Sequence, residues 1–127
     1  MASDAALSDA SVAIVEDDGS VRAALISLVG AFGFSARGFA DAESFLADSA
    51  AGQVDCLVAD VRLPGLSGLG LQHVLCTSGI TMPTILITAY PDEASRGIAM
   101  RAGAFGYLVK PVQPEALLAC LHAALGV

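Results

Sequence analysis

The 127-residue chain has no tryptophan, only six Lys and Arg, and three cysteines with no CxxC among them. Thirteen acids against those six bases give a formal net charge of −7, and no basic run occurs. The cationic footprint of direct nucleic-acid binding is therefore missing, and the charge favours a cation or a basic partner. Cys56, Cys76 and Cys120 lie too far apart for zinc spacing and read as buried, reduced thiols. His73 and His122 fall in helical patterns without ligand spacing. Hydrophobic residues reach 55%, yet no apolar run attains the ~18 residues of a membrane span. MASDAALSD lacks the basic and apolar segments of a signal peptide. The expectation is a flexible lead at residues 1–10, one domain at 11–127, no membrane association and a cytoplasmic location.

What the chain does have is alternation. Apolar runs SVAIV, FSARGF, VDCLVA, PTILIT and FGYLV predict five strands, each followed by a helical pattern. The first helix carries Val21, Leu25, Leu28, Val29 and Phe32 on one stripe and is broken by Gly33. DAESFLADSA predicts a short helix with Asp41 as N-cap and Ser44 three residues on. The third helix, weakened by Gly68 and Gly70, has a stripe of Leu66, Leu69, Val74 and Leu75. Pro91 is expected to open the fourth helix, running to about Ala102. Pro114 opens the fifth, with Leu117, Leu118, Leu121 and Leu125 inward. Strands one, three and four are almost continuously apolar, as when helices cover both faces. The fold class is α/β, a doubly wound parallel sheet.

In such a sheet, ligands collect at the carboxyl ends of the strands. Strand one runs into Glu16, Asp17 and Asp18, strand three into Asp60, strand four ends at Thr88 and Ala89, and strand five runs into Lys110 and Pro111. Carboxylates ~5 Å apart repel by roughly 3 kcal/mol at an effective dielectric of about 20. Either their pKa values rise or a cation enters. A hard divalent ion with oxygen ligands, Mg²⁺ or Mn²⁺, fits an open site of this kind. A carboxylate beside such an ion, faced by a lysine and a threonine, suits phosphoryl transfer with Asp60 as nucleophile. Thr88 can hydrogen-bond a phosphoryl oxygen, and the small Ala89 leaves room for the group.

The segments VAIVEDD, LVADVRLPG, ILITA and YLVKP, with spacings of 43 residues from Asp17 to Asp60, 28 to Thr88 and 22 to Lys110, resemble the receiver domain of two-component response regulators. The likeness spans about Ser11 to Leu125. VRLPGLSG and GAFGYLVKP look most like the FixJ-type transcriptional regulators. The resemblance implies a CheY-like, five-stranded sheet of order 2-1-3-4-5. It also implies a phosphoacceptor that is not an enzyme in its own right. Asp60 would take phosphate from a sensor histidine kinase. Asp17, Asp60, the Arg62 backbone carbonyl and, through water, Glu16 would hold the metal. Lys110 would pair with the phosphoryl group, and Thr88 and Tyr107 would switch. The face of helix four, strand five and helix five would then change, for homodimerisation or for an output domain or partner outside this chain, with transcription as the output. Arg62 and Tyr90 stand at the two positions that tune phosphoryl lifetime in that family, and their bulk implies a long-lived state. Leu63 replaces a frequent Met, a swap of little consequence.

Each piece alone has a plainer reading: EDD as a solvated turn, Asp60 as a cap, Thr88 as β-propensity, Lys110 as surface, Tyr107 as core. Their joint placement at strand ends is what favours a site. A haloacid-dehalogenase-type phosphatase wants a second acid where Arg62 stands. A flavodoxin-like cofactor binder wants a phosphate-cradling loop where the acidic EDDGS stands. A degenerate receiver serving only as an interaction module or phosphate sink remains the alternative, and the intact Asp17, Asp60, Thr88 and Lys110 set opposes it.

Overall fold

A computed structural model describes residues 10–48 and 51–127, so all but Ala10 of the expected lead lies outside the described residues. The strands are β1 (Ser11–Val15), β2 (Ser35–Phe39), β3 (Cys56–Asp60), β4 (Thr84–Thr88) and β5 (Gly106–Val109). The helices are α1 (Gly19–Ala31), α2 (Ala42–Ala47), α3 (Gly68–Thr77), α4 (Glu93–Arg101) and α5 (Pro114–Leu125). All strand pairings are parallel, in the order β2-β1-β3-β4-β5.

Because side chains alternate along a strand, each apolar run feeds two cores. Ala13, Val15, Leu57, Ala59, Leu86 and Tyr107 pack with residues of α2, α3 and α4. Val12, Ile14, Cys56, Val58, Ile85 and Ile87 pack with Leu25 and Val29 of α1 and Leu117 and Leu121 of α5. This two-sided burial is why β3 and β4 are buried at every position, while the edge strand β2 is not. No helix among the described residues is long and apolar enough to cross a membrane.

Asp41 caps α2 as expected, its Oδ1 accepting from the Ser44 N–H at 2.7 Å. Four expectations need correction. The helix after Pro91 starts at Glu93, because the Asp92 side chain caps it by accepting from the Ser95 N–H. The inward line of α3 is Gly68, Leu71, Gln72 and Leu75. Leu66 and Leu69 only flank that core, and Val74 is half-buried. The phase is shifted because Gly68 packs so closely on the Asp60 carbonyl that a Cβ there would overlap it. Asp60 lies inside β3 as its last residue, paired with Ile87, rather than just beyond it. Of the three free thiols only Cys56 is buried, and Cys76 is exposed.

Candidate functional site

β1 hands the chain to Glu16, which is fixed through its backbone. Its N–H donates to the Phe39 carbonyl at 3.0 Å, and its own carbonyl accepts from Arg22 Nη1 at 2.8 Å. Glu16 is 0% exposed and Asp60 4%, while Asp17 is exposed. Asp18, the third acid of the run, serves the helix instead: its Oδ1 accepts from the Ser20 and Val21 N–H groups and caps α1. The Asp18 N–H in turn donates to Glu16 Oε2 at 3.1 Å. One carboxylate oxygen from each of Glu16, Asp17 and Asp60 lies within 4.8 Å of the other two.

Lys110 enters from the far side of β4. Its N–H donates to the Thr88 carbonyl at 2.8 Å, and the peptide to Pro111 is cis. Its ammonium lies 2.5 Å from Asp60 Oδ2 and 2.6 Å from Glu16 Oε1. The Asp60 contact is a hydrogen bond. The Glu16 contact is an ion pair, and the Lys110 ammonium is the one charged donor that meets buried Oε1 among the described residues. Burial pushes the Glu16 carboxyl above its ordinary value, against the pull of Lys110. Burial also opposes the Lys110 charge, but the hydrogen bonds and charges of Asp60 and Glu16 outweigh it and hold the ammonium above the ordinary lysine value.

Two buried carboxylates and an exposed one thus face a single ammonium. Incompletely paired buried charge is costly, and the ammonium that reaches Glu16 Oε1 is shared with Asp60. An all-oxygen donor set of this charge fits a hard divalent cation such as Mg²⁺ or Mn²⁺.

The remaining expected residues surround this cluster. The Arg62 N–H donates to Asp60 Oδ1 at 2.9 Å, folding the loop after β3 back onto the carboxylate. The Arg62 guanidinium sits 4.6 Å over the centroid of the Tyr90 ring, which is 64% exposed. Thr88 is buried, and its Oγ1 accepts from the Tyr90 N–H at 3.0 Å, leaving the hydroxyl proton to donate elsewhere. Tyr107 pairs with Leu86, two residues before Thr88, so Thr88 and Tyr107 share one face of the sheet. The Tyr107 ring is buried, and its hydroxyl accepts from the Asp92 N–H at a long 3.4 Å.

Glu16, Asp17, Asp60 and Lys110 therefore converge as expected, with Thr88, Arg62 and Tyr90 bordering them and Tyr107 one strand away. Sequence reasoning missed Arg22, the Asp18 cap and Glu43, whose Oε2 accepts from the Leu66 N–H at 2.8 Å. The cap had a signal, an aspartate three residues before the first residue of the apolar stripe, Val21. Arg22 and Glu43 carry no local pattern.

A family model described as the response regulator receiver domain matches residues 12–122. The response regulator protein TodT of Pseudomonas putida is 39% identical over 112 residues, covering 88% of this chain and 49% of that protein. The transcriptional regulatory protein FixJ of Azorhizobium caulinodans is 35% identical over 115 residues, covering 91% of this chain and 54% of FixJ. The chain spans about half the length of such curated relatives. Among solved structures, the crystal structure of FixJ-N superposes with a TM-score of 0.83 at 33% identity, over 93% of this chain and 94% of the other. The response regulator StyR superposes with a TM-score of 0.84 at 37% identity, over 93% of this chain and 60% of the other.

Proposed function

This chain belongs to the response regulator receiver family of two-component systems, and from that premise we propose that Asp60 is the phosphoacceptor. The observation that carries the reading is the convergence of Glu16, Asp17 and Asp60 within 4.8 Å, with the Lys110 ammonium hydrogen-bonded to Asp60. An Asp60 carboxylate oxygen attacks the phosphorus of a phosphohistidine on a sensor kinase. The new O–P bond forms as the P–N bond breaks, and the leaving imidazole takes up a proton. Lys110 moves from the carboxylate to a phosphoryl oxygen, and the free hydroxyl proton of Thr88 donates to another. A divalent cation held by Glu16, Asp17, Asp60 and the Arg62 carbonyl would supply further neutralisation of those oxygens. The chain is on this reading a phosphoacceptor that assists its own modification, not an enzyme acting on free substrates.

A groove of about 530 Å³, lined by Val21, Ala24, Leu25, Lys110 and Val112 among others, runs beside the acceptor and supports docking of the donor protein there. Drawing Thr88 toward the phosphoryl group removes support from Tyr107 on the same sheet face, and the α4-β5-α5 face rearranges. The exposed apolar side chains of Ile98, Met100, Phe105 and Val109 support homodimerisation through that face. Control of transcription, through an output domain or partner, is supported by the names of the relatives. The Arg62–Tyr90 stack borders the acceptor and supports a slow-decaying phosphoryl state.

The test is intact-protein mass after incubation with acetyl phosphate and Mg²⁺, beside Asp60→Ala. One added phosphoryl group that needs both Mg²⁺ and Asp60 is the expected outcome. No adduct at a short quench time favours the interaction-module alternative. A half-life of seconds in magnesium buffer excludes the slow-decay reading alone.

A further inference from the structure

The loop between β3 and α3 carries Arg62 against the acceptor, yet its own backbone supplies little to hold it. It is closed at its base: the Val61 N–H donates to Ile87, and the Gly68 N–H donates to the Val61 carbonyl at 3.0 Å. Between these anchors, the N–H groups of residues 62–67 make two hydrogen bonds among the described residues. Arg62 donates to Asp60 Oδ1, and Leu66 donates to Glu43 Oε2 at 2.8 Å.

Among the described residues, Glu43 is thus the one side chain from another element that holds the tip of this loop by a hydrogen bond. It stands in the first turn of α2, whose Ala42 and Phe45 are fully buried in the core, so the carboxylate is presented from a fixed base. It also fits Gly65 closely. Gly65 has φ +71°, a left-handed conformation suited to glycine, and a Cβ there would come within 2.6 Å of Glu43 Oε2. A bare Gly65 is therefore what lets the carboxylate reach the Leu66 N–H.

We propose that Glu43 is a positioning residue: by tethering Leu66 it fixes the loop that carries Arg62, and so sets the affinity of the Glu16–Asp17–Asp60 cluster for a divalent cation. The inference rests on the phosphoacceptor reading for the meaning of that cluster. A tether of this kind acts by limiting the positions open to the Arg62 carbonyl before an ion arrives, as outer partners of metal ligands do. The tether needs an acceptor oxygen, not a charge, and Gln in place of Glu43 keeps one.

The experiment compares the whole chain with Glu43→Ala and Glu43→Gln by calorimetric titration of Mg²⁺ and by amide hydrogen exchange at Leu66. Glu43→Ala is expected to weaken Mg²⁺ binding by roughly fivefold or more and to lose protection at Leu66. Glu43→Gln is expected to stay within about twofold of the parent for both. Equal weakening in Glu43→Gln would assign the effect to long-range charge and overturn the tether. Intact Mg²⁺ binding in Glu43→Ala overturns the inference alone. A parent chain that binds no Mg²⁺ overturns the phosphoacceptor reading, and this inference with it. Should Glu43→Ala not fold, Gly65→Ala displaces the carboxylate from the opposite side and is expected to weaken Mg²⁺ binding likewise.

Discussion

The carboxylate pocket and the α4–β5 face are built to opposite standards. In the pocket, Glu16, Asp60 and Lys110 are each fixed more than once. Glu16 is held through its N–H, its carbonyl and its Oε2, and Asp60 accepts at both oxygens. On the other face, α4 is tied by few and longer bonds: Tyr107 to the Asp92 N–H at 3.4 Å, and Gln72 Nε2 to the Ala99 carbonyl at 3.2 Å. Its outer surface leaves Ile98 and Met100 exposed. A chemical centre needs preorganised charge, whereas an output face needs two arrangements of similar energy. The molecule places stiffness at the carboxyl ends of β1 and β3 and compliance on the α4–β5 side of the sheet.

The comparison is broken most severely at Lys110. Replacing it by Met leaves Glu16 and Asp60 buried without their ammonium. In magnesium-free buffer near neutral pH the expected loss is about 3 kcal/mol, read from the urea midpoint. The pH dependence has a definite sign. Glu16 has its folded pKa raised by burial, so its charged form opposes folding above its unfolded pKa. The variant therefore regains stability as pH falls through the folded value. In the parent chain, Lys110 contributes stability below its unfolded pKa and loses it as alkaline pH passes its raised folded value. A Met variant as stable as the parent at neutral pH would show that the pocket is not held by its charges.

A matched pair of glycines sharpens the contrast. A Cβ on Gly68 meets backbone, the Asp60 carbonyl itself, which cannot turn aside. Gly68→Ala is expected to cost about 2 kcal/mol. A Cβ on Gly97, inside α4, meets only Arg101 Nη1 at 2.9 Å, the far end of a flexible side chain. Gly97→Ala is expected to stabilise by roughly 0.5 to 1 kcal/mol through helix propensity. Thermal midpoints moving in opposite directions are the expected result, and equal losses would erase the distinction between the two regions.

Gly68 also marks the boundary of what could be read from sequence. The strands and the residues at their carboxyl ends were legible, because both-face burial makes an apolar run and the first polar residue after it falls at the sheet edge. The Asp41 cap was legible because capping is local. The phase of α3 was not, because a small Gly68 and a polar Gln72 face inward, and apolar periodicity reads both as outward. Gln72 is 4% exposed and satisfies its amide on Ala99 of another helix, a partner 27 residues away. Arg22 and Glu43 were invisible for the same reason: their partners are backbone groups on other elements, and backbone carries no sequence signal. Cys76 read as buried because an apolar composition hides which side of a helix a thiol occupies. Cys56, by contrast, is buried in the second core, and its thiol is pushed up to about 12.

The smallest effect falls where the compliant face meets Tyr107. Tyr107→Phe removes a hydroxyl that accepts one long hydrogen bond, from the Asp92 N–H at 3.4 Å, and keeps the buried ring. Asp92 holds α4 by its own side chain, accepting from the Ser95 N–H at 2.8 Å, so the helix start survives the loss. A bond at the edge of acceptable length contributes little, and the expected change is under about 0.5 kcal/mol in unmodified protein. If Tyr107 serves as a switch, the same variant alters how the α4–β5 face responds to phosphorylation far more than it alters the fold. Monomer–dimer equilibrium by light scattering, with and without phosphoryl group, reads that response. A large stability loss in Tyr107→Phe would instead make the tyrosine a structural pin, and the α4–β5 face as stiff as the pocket it answers to.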